Sequence, residues 1–518
     1  MAQLCPPRGH NNANVHRAGG PGTVPRVSAT RHVPVLIVGA GPTGLLAASE
    51  LLRRDVECLL VDALPEPLAW DRATVVHPRS MEVFDAIGLA DAFLAAGVPQ
   101  RGARILSDGA QLGVLDLTDC GSRFPFNLGI SEQVTEAILL DHLHRVGGRV
   151  ERGTRLVDLV ADEDRVRATL ERDGAHEEVR ADWVIGCDGL HSVTRERVGI
   201  ELAGHDIPVP WAVFDATTAR WPEAYDINHV FLDQPAVVLT ALPGRRWRVY
   251  LRPTTPDSDL VADATATLHR YHPEVDLVEI ADPRRFHCHT RVATRYRAGR
   301  VLLAGDAAHV CSPAEGHGMN SGLQDAFNLG WKLALVCRGI APASLLDSYE
   351  AERRPVAQRI TASGDTVEAA QTMREAAQRL ERDAALRAAF ADPERRHHEA
   401  LAEAELDIDY ASSPIVVGSA CGDLRPGDRL HDGLAERVGR CAGHAAVLVH
   451  GPAAPAPDAT PLAGACPALV EHAVAVPQAD HAGPTALVVV RPDGHIGAVA
   501  EHDHVTALRA YAARLGAS

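Results

Sequence analysis

The 518-residue sequence lacks several features that would assign it to other classes of protein. Its ten cysteines stand singly from Cys5 to Cys466 with no Cys-x-x-Cys pair, which argues against a disulfide framework and a dithiol redox centre. No run reaches the ~20 apolar residues of a membrane-spanning helix. No His-Glu-x-x-His pattern or clustered set of His and Cys indicates a metal site. These absences predict a soluble, cytoplasmic protein without a metal.

Clustered basic residues are also lacking, and aromatic residues are few. The formal net charge is −17, and no block of Lys and Arg offsets it. Neither nucleic acid nor an anionic membrane is therefore predicted as a partner. Phe, Trp and Tyr make up only 4% of the chain, so an aromatic ligand would be held largely by aliphatic walls and by a cofactor. The first thirty residues are rich in Pro, Gly, Asn and Arg without an apolar run, which predicts a disordered extension.

A glycine-rich motif follows the first predicted strand, His32–Val38. Gly39-x-Gly41-x-x-Gly44 leads into a predicted helix over Leu45–Arg54, and Asp62 ends the next predicted strand. In this arrangement the glycines allow a tight turn, close approach of a pyrophosphate and close helix packing, while the acid accepts bonds from ribose hydroxyls. The spacing predicts a dinucleotide-binding unit.

A second motif much further along the chain indicates which dinucleotide is bound. The strand Val301–Leu303 runs into Gly305-Asp306, and the turn Gly316-His317-Gly318-Met319-Asn320 then precedes a long predicted helix. An Asp at the end of a strand can bond the hydroxyls of an extended polyol, and a glycine-rich turn lets the backbone approach a planar ring. The N-terminus of the helix would stabilise negative charge on a reduced flavin. These features predict FAD.

With a third segment, Gly186-Cys187-Asp188-Gly189, the chain resembles the single-component FAD-dependent aromatic hydroxylases of the p-hydroxybenzoate, phenol and polyketide hydroxylase type. The resemblance is strong over residues 33–365 and weaker to the C-terminus. It implies that Arg72 lies near the cofactor phosphates or ring. It also implies that Asp188 and Gly189 bind FAD and, transiently, NAD(P)H. The other cofactor-binding residues that it implies are Gly39, Gly41 and Gly44 for the pyrophosphate, Asp62 for the ribose, Gly305 and Asp306 for the ribitol, and Gly318, Met319 and Asn320 for the turn beneath the flavin.

The sequence departs from the family pattern at several positions. His317 replaces a usual Gln, and Glu315 stands where Gly is common. Before Thr135-Glu136 the family's Gln position holds Glu132, with Gln133 one residue later, so either side chain is a candidate for contact with FAD. His77 and His317 both lie in segments expected to approach the flavin. Each is a candidate catalytic residue that deprotonates a phenol, while a hydrogen-bonding substitute for Gln is the alternative for His317.

The resemblance implies an α/β fold with a Rossmann-like FAD-binding domain, an interleaved antiparallel-sheet substrate domain and a C-terminal thioredoxin-like domain. That last domain is expected to serve packing or homodimer formation, since it lacks Cys-x-x-Cys. The predicted boundaries are 1–31 for the N-terminal extension, 32–100 with 130–200 and 296–365 for the FAD-binding domain, 101–129 with 201–295 for the substrate-binding domain, 366–412 for a helical linker, and 413–518 for the thioredoxin-like domain.

The implied activity is hydroxylation of a phenolic or polyketide-type aromatic substrate. NAD(P)H would reduce FAD, and O2 would form a C4a-hydroperoxyflavin that attacks the ring. Three alternatives use the same scaffold, because a fold does not fix a reaction: a Baeyer–Villiger oxygenase, a flavin oxidase or reductase, and a non-catalytic flavoprotein whose C-terminal domain recruits a partner.

Overall fold

The computed structural model of the protein describes residues 31–68, 73–452, 454–478 and 485–517. Arg72 and the predicted extension through residue 30 lie outside the described residues. Within those ranges, no helix is both long enough and apolar enough to cross a membrane.

The first part of the chain alternates strands with helices. Its elements are β1 (Arg31–Val38), α1 (Pro42–Leu52), β2 (Cys58–Asp62), β3 (Val75–Val76), α2 (Pro78–Ala86), α3 (Ala90–Ala96), β4 (Val98–Gln100), β5 (Gly102–Ser107), β6 (Ala110–Asp116), β7 (Asn127–Gly129), α4 (Glu132–Arg145), β8 (Val150–Arg152), β9 (Thr154–Ala161), β10 (Val166–Arg172), β11 (Ala175–Gly186) and α5 (Val193–Arg197).

The middle part is mostly strand. Its elements are β12 (Leu202–Asp206), β13 (Trp211–Ala219), β14 (Asn228–Phe231), β15 (Val237–Leu242), β16 (Arg246–Leu251), α6 (Leu260–His269), β17 (Asp276–Phe286), β18 (His289–Ala293), β19 (Arg297–Ala298), β20 (Val301–Leu303) and β21 (His309–Val310).

The last part begins with long helices and ends with a small α/β unit. Its elements are α7 (His317–Cys337), α8 (Asp347–Thr372), α9 (Ala376–Ala391), α10 (Pro393–Glu403), β22 (Val417–Gly418), α11 (Asp432–Val438), β23 (His444–His450), α12 (Thr460–Ala465), β24 (Val470–Pro477), β25 (Ala486–Val490), β26 (Ile496–Ala500) and α13 (His504–Arg514). Helix α8 is continuous across residue 365, where the predicted FAD-binding domain gives way to the helical linker.

A mainly parallel sheet forms the centre of the FAD-binding part. Its strand order is β19-β20-β11-β1-β2-β8, and the hairpin of β9 and β10 extends β11. The apolar run Val35–Val38 is buried on both faces of the sheet, as expected for a central parallel strand. Helices α1 and α7 pack together in the largest hydrophobic core through residues such as Leu46 and Leu329.

A seven-stranded sheet stands beside the central one, with the order β17-β13-β16-β15-β14-β5-β6. The sequence predicted an antiparallel sheet, and most neighbouring strands are antiparallel. One pair differs, because β5 and β14 run parallel with Asn228 in register with Ala103. The two strands come from distant chain segments, so no hairpin constrains their relative direction.

The C-terminal unit is built on a five-stranded sheet with the order β22-β26-β25-β23-β24. Strands β23 and β24 are parallel, whereas β25 is antiparallel to both β23 and β26. Those directions are compatible with a thioredoxin-like domain, which stays a prediction. The unit shares a hydrophobic core with α7, where Trp331 packs with Leu508 and Tyr511.

A buried charge network joins this C-terminal unit to α7 and α8. The Glu352 carboxylate accepts bonds from Lys332 Nζ at 2.6 Å and from Arg491 Nη2 at 2.7 Å. Arg491 also pairs with Asp493 at 2.5 Å, and Trp331 Nε1 donates to Asp493 at 3.0 Å. All these side chains are at most 3% exposed, so loss of one member would leave its partner as an uncompensated buried charge.

Candidate functional site

The loops that follow four parallel strands meet at one edge of the central sheet. Val38 at the end of β1 is in register with Val61 of β2 and with Gly186 of β11. Gly186 is in turn in register with Leu303 at the end of β20. The structure therefore brings the three sequence motifs side by side, at the carboxyl edge where open α/β sheets bind ligands.

The turn after β1 has two positions that only glycine fits and one that faces open space. Gly39 has a φ of +101°, and a Cβ there would lie 2.2 Å from the carbonyl oxygen of Cys187. A Cβ on Gly44 would lie 1.9 Å from the Gly39 carbonyl oxygen, whereas a Cβ on Gly41 would meet only Glu136 Oε1, at 3.8 Å. Gly41 is the N-cap of α1, and no side chain caps the helix. The free N–H groups at this helix start therefore fit a pyrophosphate.

Asp62, predicted to bind ribose, also holds the turn in place. Its Oδ2 accepts a bond from the Ala40 N–H at 2.7 Å, and its Oδ1 accepts one from the Leu64 N–H at 2.8 Å. A carboxylate has about four acceptor positions, so two remain for hydroxyl donors.

The turn after β20 presents the predicted ribitol ligand. Gly305 has a φ of +60°, and its N–H donates to Asp325 Oδ2 at 3.2 Å. A Cβ on Gly305 would press on Thr43 Oγ1 at 2.7 Å, so this glycine lets the turn approach the start of α1. The half-buried Asp306 carboxylate makes no hydrogen bond to any other described residue. A free acceptor between two glycine-dependent turns fits the hydroxyls of an extended polyol.

The residues Gly316 to Asn320, predicted as a turn that precedes the long helix, are the N-cap and first turn of α7 in the structure, and the side chain of Asn320 fixes them. Its amide nitrogen donates to the carbonyl oxygens of Val75 and Gly316, both at 2.9 Å, and its Oδ1 accepts from the His77 N–H at 2.9 Å. The Asn320 side chain is therefore committed to protein contacts, so contact with a ring would come from the backbone. Half-buried Met319 packs against the main core, and a Cβ on Gly318 would have only Cys311 Sγ near it, at 3.7 Å.

The Asp-Gly loop after β11 is held by its own carboxylate. Asp188 accepts bonds from Ser192 Oγ at 2.5 Å and from the N–H and Oγ1 of Thr194 at 2.9 and 3.0 Å. These contacts engage both carboxylate oxygens at the start of α5. Gly189 has a φ of +77° and has no other atom within 4 Å of a Cβ position, so this side of the loop is open.

The two candidates on α4 differ in exposure. Glu132 is half-buried and its Oε2 accepts a bond from the Ala73 N–H at 3.3 Å, whereas Gln133 is exposed in the first turn of the helix. Glu136 is the α4 residue whose side chain comes closest to the Gly41 position.

His77 and His317 stack on each other beside the first turn of α7. The two ring centroids are 4.8 Å apart with an interplanar angle of 22°. His77 is fully buried; its Nδ1 bonds the carbonyl oxygen of Glu403, and its Nε2 has no partner in the described parts of the chain. His317 is 6% exposed, and its Nδ1 bonds Glu405 Oε1 at 2.8 Å. The Nε2 edge of His317 is left for a ligand.

The electrostatic surroundings make His317 a cation at neutral pH. Burial lowers the pKa of His317, but the hydrogen bond and charge of Glu405, with the charges of Glu315 and Glu403, outweigh burial and raise that pKa to about 9. Burial correspondingly raises the pKa of Glu405, but His317 outweighs it and the net shift is downward. A protonated imidazole has no lone pair with which to accept a proton. In this state the Nε2–H of His317 is a hydrogen-bond donor.

Glu405 is a site residue that the sequence motifs did not indicate. It is 1% exposed and its backbone φ is +57°, a conformation that costs a non-glycine residue free energy and that is concentrated at functional sites. Its second carboxylate oxygen accepts a bond from Gln324 Nε2. Asp325 was also missed. Its carboxylate accepts a hydrogen bond from Arg353 Nε at 2.7 Å, and it also bonds the Gly305 N–H and the Nε2 atom of His309. Asp325 lies in the segment that follows the Gly305-Asp306 motif but was not given a role, whereas Glu405 stands in no recognisable motif and only the fold brings it to the site.

A cavity of about 320 Å³ opens against this histidine pair. His317 and Glu315 line one side, Ile105 and Leu115 of the seven-stranded sheet line another, and α8 and α10 complete the wall. A wider depression of about 930 Å³ lies at the opposite, amino end of the parallel strands, beside Pro34. It includes none of the predicted site residues, so the smaller cavity is the candidate substrate site.

Comparison with known proteins agrees with the cofactor motifs. A family model described as FAD binding domain matches residues 32–363. The chain is 38% identical over 412 residues to 6-methylpretetramide 4-monooxygenase of Streptomyces rimosus, an alignment that covers 75% of this chain and 72% of that protein. It is 39% identical over 342 residues to pentachlorophenol 4-monooxygenase of Sphingobium chlorophenolicum, covering 63% of this chain and 62% of that protein.

A solved structure shows the same likeness over a greater length. An anhydrotetracycline hydroxylase from Streptomyces rimosus superposes with a TM-score of 0.72 at 30% sequence identity. The superposition covers 91% of this chain and 96% of that one, so it includes the C-terminal unit.

Proposed function

The chain belongs to the FAD-binding-domain family of FAD-dependent aromatic monooxygenases, and from this premise we propose that it hydroxylates a phenolic or polyketide-type ring with NAD(P)H and O2. FAD is the cofactor. Once bound, it supplies the electron transfer and oxygen activation that protein side chains cannot perform. The observation that carries the proposal is the meeting of three glycine-dependent turns at one sheet edge beside a cavity that contains a cationic histidine.

In this proposal each turn binds a part of the cofactor. Gly39, Gly41 and Gly44 would hold the pyrophosphate at the start of α1, and Asp62 would accept bonds from the ribose hydroxyls. The Asp306 carboxylate beside Gly305 would bond the ribityl hydroxyls, and the backbone of Gly318, Met319 and Asn320 would contact the ring. The space beside Gly189 is open, and NAD(P)H would approach there. Arg72 and Gln133 remain proposed cofactor contacts.

His317 has a specific task toward the substrate in this proposal. Its Nε2–H donates to the phenolic oxygen, and the imidazolium favours the phenolate form, with the phenolic proton passing to solvent; the phenolate in turn makes the neighbouring ring carbon electron-rich. His77 stacks on His317 and positions it, since the Nδ1 of His77 is held by Glu403. The cationic state of His317 depends on Glu405, so the pair acts as a unit.

The substrate class follows from the relatives. Their names give 6-methylpretetramide, pentachlorophenol and anhydrotetracycline as substrates. The C-terminal unit is proposed to complete the fold without a thiol reaction, and a homodimer through it is a further part of the proposal.

Product analysis tests the function directly. The purified holoenzyme is incubated with a panel of phenols and polycyclic polyketides, NADH or NADPH, and ¹⁸O2. We expect substrate-dependent NAD(P)H oxidation and one ¹⁸O atom in a ring hydroxyl of the product. Release of hydrogen peroxide alone from every member of the panel would indicate an oxidase, and ¹⁸O in an ester or lactone would indicate a Baeyer–Villiger oxygenase.

A further inference from the structure

The cavity beside His317 is lined by an unusual number of carboxylates. Five of its lining residues are acidic: Glu315, Glu399, Glu403, Glu405 and Asp407. The basic groups in the lining are Arg359, His317 and His398. A site that binds an anionic substrate would show the reverse balance.

Two of these carboxylates are neutralised within the protein. Arg359 pairs with both oxygens of Asp407, at 2.9 and 3.0 Å, and His317 pairs with Glu405 at 2.8 Å. Each pair is therefore electrically neutral, and neither adds net charge to the cavity.

The other three carboxylates make no hydrogen bond or ion pair with a cationic side chain among the described residues, although the charge of His317 acts on Glu315 from nearby. Glu403 Oε1 accepts from the neutral Asn127 amide at 2.9 Å, and Glu315 Oε1 accepts from Ser363 Oγ at 3.0 Å. Glu315 Oε2 is buried without any hydrogen-bond partner in the described chain, and Glu399 lies exposed at the rim. An unsatisfied buried carboxylate oxygen normally has a ligand or donor to complete it.

His317 is a second residue of the cavity lining with an atom that makes no hydrogen bond to the described residues. His317 is more than nine-tenths buried, lines the cavity, and makes a hydrogen bond only through Nδ1. The cavity thus offers one donor, the Nε2–H of His317, and a group of acceptors at Glu315, Glu399 and Glu403. A ligand complementary to it carries an acceptor at one end and a cationic donor at the other.

We propose that the cavity selects a phenol bearing an ammonium group, with the phenolic oxygen at His317 and the ammonium at Glu315, Glu399 and Glu403. The inference rests on the proposed function and names its substrate class. A phenol with a carboxylate side chain is rejected, because its charge would lie beside Glu399 and Glu403 in a partly enclosed site. Glu315 adds an acceptor whose pKa burial raises, so an ammonium donor that favours its charged form suits it better than a second carboxylate. The volume of about 320 Å³ is at the low end for ligand sites and accommodates a single ring with a short chain.

Three probes with the same phenol ring separate the effect of side-chain charge on binding from the effect of shape. They are 4-(2-aminoethyl)phenol, 4-(2-hydroxyethyl)phenol and 3-(4-hydroxyphenyl)propionate. Their dissociation constants are measured on the oxidised holoenzyme from the perturbation of flavin absorbance, without NAD(P)H, so that the readout is independent of turnover. We expect the amine to bind at least about tenfold more tightly than the acid, with the alcohol between them.

Variants assign the preference to the cavity. Glu399→Gln should weaken amine binding about two- to fivefold, as for loss of one partly exposed ion pair, and leave alcohol binding unchanged. Glu315→Gln should weaken amine binding more and improve acid binding. Glu394→Gln is the matched control, because Glu394 is an exposed acid on the same helix that does not line the cavity. Circular dichroism and flavin content verify that each variant is folded and loaded.

The outcomes separate the inference from the function. Equal or tighter binding of the acid, absence of binding by all three probes, or an amine preference that Glu315→Gln and Glu399→Gln leave intact would each overturn the substrate class. If ¹⁸O-labelled products nevertheless form from other phenols, the proposed function stands. If no phenol or polyketide yields an oxygenated product, the proposed function fails, whatever the probes show.

Discussion

Replacement of Glu405 by Gln should lower the pKa of His317 and so remove the positive charge of its imidazole near neutral pH. The pKa of His317 near 9, against an ordinary value of 6.5, corresponds to about 3 kcal/mol of net interaction at ~1.4 kcal/mol per tenfold change. The carboxylates supply more than this, because burial acts in the opposite direction. Glu405 provides the only direct bond to His317, at 2.8 Å, among the described residues. Without that charge, burial prevails, and the pKa of His317 in Glu405→Gln should fall to about 7 or below.

Hydrogen exchange at the imidazole C2 position, followed by mass spectrometry of peptides, gives the titration midpoint of an individual histidine. We expect a midpoint near pH 9 for His317 in the wild-type protein and a fall of at least about two pH units in Glu405→Gln. Glu381→Gln, an exposed acid on α9, serves as the control and should leave the midpoint where it is. An unchanged midpoint in Glu405→Gln would refute the charge assignment and, with it, the donor role of His317.

The same shift predicts how stability depends on pH. The folded-state pKa of His317 lies above its unfolded value, so the interaction stabilises the protein fully below about pH 6.5. Its contribution is lost as the pH rises through about 9. The difference in thermal midpoint between the wild-type protein and Glu405→Gln should therefore be largest near pH 6.5 and shrink toward pH 9.5. A difference that stays constant over this range would contradict the linkage.

Other predictions concern the cofactor and the buried network. Asp306→Ala should weaken FAD retention by about 1–3 kcal/mol because ribityl hydroxyls lose their acceptor, and equilibrium dialysis against FAD would detect unchanged affinity as a failure. Gly41→Val should abolish FAD binding, since a β-branched side chain would fill the space opposite Glu136, while circular dichroism should show a folded protein. Arg491→Met should destabilise the protein by about 3–5 kcal/mol through the unpaired charges of Glu352 and Asp493, measured as a lower thermal midpoint. NAD(P)H oxidation by the holoenzyme should accelerate when an aromatic substrate is present, and equal rates with and without substrate in a stopped-flow experiment would argue against a hydroxylase.

Sequence patterns predicted those parts of the site that are encoded within short segments. The turn from Gly39 to Gly44 was predictable because its glycines, flanking strand and helix lie in one continuous segment, from Arg31 to Leu52. The strand ends at Asp62 and Asp306 followed from the same local reasoning. The FAD-binding family that these segments indicated is confirmed by the match over residues 32–363.

The remaining site residues depend on contacts between distant segments. Glu405 bonds His317 although the two residues are 88 positions apart in the sequence, and no periodicity or motif marks Glu405. Asp188 and Asn320 lie where the motifs placed them, but their side chains bond the protein itself, as Asp188 does with Ser192. A motif specifies where a residue stands on the backbone; which atoms it bonds is decided by packing of the whole fold.

The buried network of Lys332, Glu352, Arg491 and Asp493 limits how this enzyme can be recombined with its relatives. A hybrid that exchanges the C-terminal unit at residue 413 separates Arg491 and Asp493 from Glu352 and Lys332, so each parent must carry matching charges on both sides of the junction. Crossover points that preserve function should therefore be sought where all four residues come from one parent. The C-terminal unit is inherited together with α7 and α8, and not as an interchangeable module.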